Sequence, residues 1–327
     1  MLYPLKFKPI YKTKLWGGNR LQRYYRHDAA GVVGVGGVGE TWDVSAVRDN
    51  ESVVENGFLA ENTLPELIEV YLGDLVGDAV YERYGNEFPL LVKLIDAAQH
   101  LSIQVHPNDD IAAERHQSWG KTEMWYVLDA APDAFIVAGF TRAIDKAEYL
   151  KLVSENRLEE VLQKHPVSKG DVFFIPAGCV HSIGAGCVLL EIQQTSDITY
   201  RIYDYNRTDA DGNPRELHTD LAVDAIDFEH WKNEKIALPH QHNALQTVVK
   251  CPYFTSNLMI LTKPQEYDLA PIDSFVLLTV LEGHVTCRYG DEYITAVDGE
   301  TLLIPAEMNE LLLVPTGEAK LLETYVV

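Results

Sequence analysis

The chain has 327 residues, 46% of them hydrophobic, and 49 acidic against 27 basic side chains give a formal net charge of -22. That length and apolar content allow two domains with substantial cores. The acidity excludes a surface built to grip nucleic acid or anionic lipid, which both require a basic footprint, so an anionic ligand must be met by a local basic cluster.

The opening residues, Met1-Leu2-Tyr3-Pro4-Leu5-Lys6, lack the apolar run and small-residue cleavage pattern of a signal peptide, and no later stretch reaches membrane-spanning length. A cytoplasmic location is expected, with no membrane and no evident protein partner. Gly34-Val35-Gly36-Gly37-Val38-Gly39 matches the glycine spacing of a dinucleotide-binding turn, but that turn works only between a strand and a helix. Upstream Arg26-His27-Asp28 is polar and downstream Glu40-Thr41-Trp42-Asp43-Val44-Ser45 alternates like a strand, so a glycine loop is expected instead. Residues 61–84, with Leu64, Leu67, Ile68, Tyr71 and Leu72, read as a helical element flanking the strands.

From residue 88 to 205, and again from 254 onward, short runs rich in Val, Ile, Phe and Tyr are separated by Gly, Pro, Asn and Asp, the texture of a β-barrel or sandwich. In Leu101-Ser102-Ile103-Gln104-Val105-His106 the alternation puts Gln104 and His106 on one strand face, with Leu101, Ile103 and Val105 packing behind. Pro107-Asn108-Asp109 ends that strand with turn chemistry. In Lys121-Thr122-Glu123-Met124-Trp125-Tyr126-Val127-Leu128 a carboxylate opens an otherwise apolar strand, and a buried Glu must have a partner. Residues 143–165 carry apolar side chains at helical spacing and read as a helical insertion between strands.

Gly170, Pro176, Gly178 and His181 fall in the register of the cupin signature, glycine, five residues, proline, one residue, glycine, two residues, histidine. Its glycines and proline shape a turn that aims the histidine into the barrel; Ala185 stands where the signature usually has asparagine. Gln104, His106, Glu123 and His181 together offer two imidazoles and two oxygen donors, a set suited to zinc and able to take other divalent transition metals. No thiolate is included, which favours an open catalytic site over a closed structural one. Cys179, Cys187, Cys251 and Cys287 form no Cys-x-x-Cys pair and are expected as reduced, mostly packed thiols.

The polar stretch 235–246 marks a boundary. Beyond it Gly299-Glu300-Thr301-Leu302-Leu303-Ile304-Pro305-Ala306 echoes Gly170-Asp171-Val172-Phe173-Phe174-Ile175-Pro176-Ala177, which indicates an internal repeat. In the second copy Glu310 falls at the position of His181, Glu307 at that of Gly178, and His284 stands alone, so this copy is expected to pack without holding a metal. The expected fold is mainly β: two cupin-type β-barrel or jelly-roll modules with a helical insertion, the second degenerate. Residues 1–240 form the catalytic domain, with helical elements around 61–84 and 143–165, and residues 241–327 the C-terminal one.

Trp16-Gly17-Gly18, Gly39-Glu40-Thr41-Trp42-Asp43, Phe88-Pro89-Leu90-Leu91-Val92-Lys93, Gln104-Val105-His106-Pro107-Asn108-Asp109, Lys121-Thr122-Glu123 and Ser196-Asp197-Ile198-Thr199-Tyr200-Arg201 carry a closer likeness. With them the chain resembles the type I phosphomannose isomerases in their short bacterial form, nearly end to end. The resemblance implies a metal-dependent aldose-ketose isomerase acting on a sugar phosphate through a cis-enediol, with one Zn2+ per chain on Gln104, His106, Glu123 and His181. It further implies an active-site role for Arg201, for Lys93 and Lys121 at the family's lysine positions, and for Glu191 at an acidic one. Arg201 suits an enediolate because its charge is permanent and its donors planar. Lys93, Lys121 and Arg201 are candidates for the phosphate, and Glu191 or a lysine for the proton-transfer base. A cupin dioxygenase and a non-catalytic sugar-binding cupin share the metal set as alternatives; Gln104 and the basic residues argue against the first.

Overall fold

The apolar runs between residues 88 and 205, joined by two strands from the first 44 residues, pair into two antiparallel sheets that face each other. One has six strands, in the order Val172–Ile175, Glu123–Ala130, Cys187–Gln194, Leu90–Ala97, Ile10–Gly18 and Val38–Val44. The other has five: Leu162–Pro166, Phe135–Phe140, His181–Ile183, Ile103–Val105 and Tyr200–Tyr203. This computed structural model describes residues 1–24, 37–208, 212–229, 232–238 and 240–326. Gly34, Val35 and Gly36 of the glycine loop lie outside the described residues, and the segment after it is the strand Val38–Val44, with no helix to receive a pyrophosphate.

The two-residue period of a strand decides what each sheet buries. Inward residues, among them Trp16, Ile95, Trp125, Ile136, Phe173 and Ile183, form one cluster between the sheets. Behind the five-stranded sheet, Ile103, Val105 and Phe140 pack on Tyr149, Leu152 and Val161 of the insertion and on Ala222 and Val223 of the helix Thr219–Ala225. Behind the six-stranded sheet, Val92, Met124, Tyr126 and Leu190 face the second module.

That second module repeats the plan. Its larger sheet runs Leu5–Lys6, Thr301–Ile304, Val276–Glu282, Ala319–Tyr325, Thr255–Leu261 and Leu245–Lys250, and its smaller one Gln265–Asp268, Glu310–Pro315, His284–Tyr289 and Glu292–Val297. The sequence echo is therefore structural, since Val172–Ile175 and Thr301–Ile304 occupy matching places. Each follows a glycine in the left-handed region, Gly170 at φ 92° and Gly299 at 79°, where a side chain is strained. The first strand of the chain joins the sheet of this module, Leu5 opposite Leu303. Leu258, Ile260, Leu277 and Leu322 share a cluster with Val92 and Leu190, so the two large sheets stand back to back. Phe88 and Phe275 meet at that seam with ring centroids 4.4 Å apart. The facing sheets are jelly rolls and do not join into closed barrels among the described residues.

Residues 61–84 form three short helices, Leu64–Tyr71, Gly73–Val76 and Asp78–Tyr84, broken at Leu72 (φ 50°) and Gly77 (φ 96°). A capping box, Thr63 with Glu66, starts the first, and Leu64, Leu67 and Ile68 are its buried face. The expected helix over 143–165 is shorter. It spans Lys146–Ser154, capped by the Asp145 side chain, and Asn156 at φ 54° follows its end. Leu162–Pro166 is instead a strand paired with Phe135–Phe140; its burial alternates with period two, so sheet pairing overrides the helical spacing. The four cysteines are free, and three are buried.

Candidate metal centre

Three successive cross-strand neighbours in the five-stranded sheet begin the site. His181 lies opposite Gln104, and Gln104 opposite Arg201; directly opposed residues project from one face. His106 continues the alternation one step past its strand. Ile103 and Val105 pack behind as expected, whereas Leu101 turns inward and lines the cavity. Beyond His106 the Asn108 side chain accepts from Ile111 N at 3.0 Å and starts the helix Asp109–His116.

The facing sheet contributes Glu123, fully buried at the start of Glu123–Ala130. Lys121 is brought beside it by its backbone N–H, which donates to Pro107 O at 3.2 Å. Gly178 makes the turn that aims His181: at φ 86° its N–H donates to His106 O at 2.9 Å.

The donor atoms converge. His106 Nε2 lies 3.1 Å from His181 Nε2 and 3.3 Å from Glu123 Oε1. Each ring's Nδ1–H donates to a backbone carbonyl, His106 to Ile198 O at 2.9 Å and His181 to Cys179 O at 2.8 Å. Both Nε2 lone pairs therefore face the space between the rings, with Lys121 Nζ 3.1 Å from His106 Nε2, and Glu123 Oε2 is buried without a hydrogen-bond partner among the described residues. A cation relieves all three. Burial, reinforced by the Lys121 ammonium, holds His106 down at about 3, and burial lowers His181 as well, so both rings are neutral as coordination requires. Burial opposes the charge on Glu123, yet the paired Lys121 keeps its carboxyl well below the usual range. Gln104 Nε2 lies 3.3 Å from His181 Nε2 and its Oε1 3.3 Å from Ser102 Oγ. Turning the amide over aims its oxygen at the convergence point. Two imidazole nitrogens, a carboxylate and an amide oxygen fit a divalent transition metal.

One row along the six-stranded sheet, Trp125, Glu191, Lys93 and Trp42 are successive neighbours. Lys93 Nζ lies 3.1 Å from Glu191 Oε1, and Trp125 Nε1–H donates to Glu191 Oε2 at 2.9 Å. Burial and the Glu123 carboxylate push the Glu191 carboxyl up, against the pull of Lys93 and Lys121. Burial works against the Lys93 charge, but Glu191 and Glu40 outweigh it and raise its pKa. Arg201 donates through Nη1 to Glu216 O at 2.8 Å, while its Nε is buried and unpaired among the described residues.

Lys93, Gln104, Lys121, Glu191 and Arg201 line one cavity of about 330 Å³, with Lys14, Glu40 and Trp42 in its wall. A larger open cleft of about 740 Å³ shares Asp197 with it. Lys14 pairs with Glu40 at 3.2 Å, and Trp42 Nε1–H donates to Glu40 Oε2 at 2.8 Å. Sequence reasoning gave none of these three a role, although Glu40 and Trp42 stand in a motif it singled out. Trp125 was also missed, because an indole in an apolar run gives no sign that it serves a carboxylate.

Register shows what the second module has in place of the site. The pair His181 and Gln104 becomes Glu310 and Asp268, both exposed. Ile175 faces Glu123 as Ile304 faces Val276, so the ligand carboxylate is replaced by an apolar side chain. Glu191 and Lys93 become Glu323 and Asn257. His284 is exposed on another strand.

Residues 4–133 match the type I phosphomannose isomerase catalytic domain, and residues 244–326 the mannose-6-phosphate isomerase cupin domain. Mannose-6-phosphate isomerase ManA of Bacillus subtilis (strain 168) is 36% identical over 313 residues, 94% of each chain. The chain belongs to the type I phosphomannose isomerase family. A mannose-6-phosphate isomerase of Streptococcus mutans is 34% identical over 311 residues, 93% of each chain. The crystal structure of the Bacillus subtilis mannose 6-phosphate isomerase matches with a TM-score of 0.87 at 31% identity, covering 99% of both chains. As a type I phosphomannose isomerase the chain is a metal-dependent isomerase of cupin architecture, and the His106, Glu123 and His181 cluster is suited to the metal. No helix among the described residues is long and apolar enough to cross a membrane.

Proposed function

We propose that this isomerase interconverts mannose 6-phosphate and fructose 6-phosphate through a cis-enediol in the cytoplasm, with one Zn2+ per chain on Gln104, His106, Glu123 and His181. One observation carries the reading: two neutral imidazoles and an orphaned carboxylate oxygen converge beside Gln104 and Lys121, which line a cavity together with the buried carboxyl of Glu191 and with Arg201, whose Nε is unpaired among the described residues. A divalent ion held by His106, Glu123, His181 and Gln104 would supply a Lewis acid for the substrate carbonyl and for the negative charge that develops on it.

The chain's own residues do the rest. Arg201, beside Gln104 in the sheet, offers permanent charge and planar donors to the enediolate oxygens. Glu191 carries the proton between adjacent carbons: burial raises its proton affinity, and Lys93 and Trp125 fix its two oxygens. Lys121 orients Glu123 and His106 and, with Lys93 and Arg201, draws in the anionic substrate. Residues 1–240 act as the catalytic domain, and residues 241–327 pack against it without a metal of their own.

The test is a coupled assay on purified protein with mannose 6-phosphate, run with and without chelator and with and without oxygen. Fructose 6-phosphate should form without oxygen, stop when metal is removed and resume with Zn2+. Turnover that required oxygen would favour a dioxygenase, and bound but unconverted sugar a binding protein. Full turnover after complete metal removal would overturn the role given to the four ligands.

A further inference from the structure

We infer that Arg215, held in place by buried Asp204, is the residue that selects for the phosphate of the substrate, an assignment that rests on the isomerase reading above. The strand Tyr200–Tyr203 leads into a hairpin that folds back on itself. Thr208 bridges Pro214, Arg215 N–H donates to Arg207 O at 3.2 Å, and His218 N–H donates to Arg201 O at 2.7 Å. The returning segment therefore lies along the outer edge of the five-stranded sheet, next to Arg201, and delivers Arg215 to the cavity wall.

Asp204, only 3% exposed, accepts from two guanidiniums: Arg207 on one oxygen and Arg215 Nη1 on the other, at 3.0 Å. Arg207 also donates to His100 O at 2.7 Å and stays out of the cavity wall, which suits a strut for the hairpin. Arg215 lines the cavity with donors to spare. Two arginines thus pair with one buried carboxylate and a third, Arg201, stands near them without an ion pair of its own among the described residues, a local excess of positive charge in a chain of net charge -22. Burial, and then the charge of Arg215, lower the proton affinity of Arg201, a mark of repulsion that a ligand anion would relieve. The three lysines of the cavity are each engaged by a carboxylate: Lys14 by Glu40, Lys93 by Glu191 and Lys121 by Glu123.

Position agrees with charge. His181, Gln104 and Arg201 sit on successive strands, spaced by about 4.8 Å, and the Arg215 segment lies on the far side of Arg201 from the metal ligands. A sugar whose carbonyl end is at those ligands extends toward Arg215, where a phosphate monoester carrying about -1.5 to -2 charges finds a planar two-donor partner.

The experiment compares wild type with Arg215→Gln on mannose 6-phosphate and, independently of turnover, on inorganic phosphate binding by calorimetry with the zinc-loaded protein. Loss of one charge-assisted contact predicts a KM and a phosphate dissociation constant each raised about tenfold or more, with kcat within about threefold and metal content unchanged. Asp204→Asn should raise KM in the same direction. Should Arg215→Gln fail to fold, Arg215→Lys is read the same way and should raise KM to a lesser extent. An unchanged KM and phosphate affinity, or a fall in kcat at constant KM, would overturn the assignment. If wild type bound phosphate through Arg215 but did not isomerise, the enzyme reading would fail while this subsite stood.

Discussion

Arg201 has charge to give and, among the described residues, no carboxylate within ion-pair distance, so replacing it separates electrostatic attraction from geometry. Arg201→Lys keeps the charge but loses the planar pair of donors, and should lower kcat at least tenfold while changing KM much less. Steady-state kinetics with metal analysis checks this; near-normal kcat with a raised KM would make Arg201 a phosphate anchor. A second residue-scale prediction concerns Glu323, which receives hydrogen bonds from Tyr267 and Asn257 and is pushed by burial up to about 7. Its folded pKa exceeds the unfolded value of about 4.3, so between those pH values the native state holds more protons and stability falls as pH rises, levelling off above about 7. In Glu323→Gln that slope should be absent, read as urea midpoints at pH 5 and pH 8; equal slopes in both proteins would contradict it. The approach of His106, Glu123 and His181 to one another was legible in the sequence because strand alternation and a turn pattern act over a few residues. Trp125, Lys14 and Arg215 were not, because Trp125 meets Glu191, and Lys14 and Arg215 reach the cavity wall, only through partners distant in the chain.

At the scale of elements, the turn before His181 is the most exacting piece. Gly178 sits at φ 86°, and a Cβ there would lie 3.0 Å from Asp227 Cβ and 3.1 Å from Ala225 O. Gly178→Ala should therefore shift the turn and misdirect His181, at a backbone cost of about 1–3 kcal/mol. Metal per chain should drop by more than the melting temperature suggests, with the circular dichroism of the sheets retained; full metal occupancy would show that the turn tolerates the side chain. The same element explains the degenerate copy, where Glu307 takes this place and a strand opens at Glu310. Strands were readable from apolar alternation, and so was the insertion as an interruption. The strand Leu162–Pro166 was not, because its leading Leu158, Val161 and Leu162 satisfy a helical spacing, and only pairing with Phe135–Phe140 decides between the two.

At the scale of the whole molecule, two jelly rolls share an apolar seam, with Phe88 and Phe275 both fully buried in it. Phe275→Ala should cost about 3–5 kcal/mol, and because the cluster spans both modules the loss should move one shared unfolding transition. Two separated transitions in calorimetry would mean that the modules unfold independently. The repeat was visible in the sequence as matching turn and apolar run, yet nothing local said that the large sheets stand back to back, since a strand buried on both faces does not name its partner. The pairing of Leu5 with Leu303 was still further from view. That pairing sets a timetable for biosynthesis. A ribosome adding about 5–20 residues per second leaves the opening strand waiting roughly 15–60 s for its neighbour to be made, so the second jelly roll gains its edge only after residues 301–304 have emerged. Nascent chains stalled before residue 301 should leave residues 1–8 open to protease, and release of the finished chain should close them off.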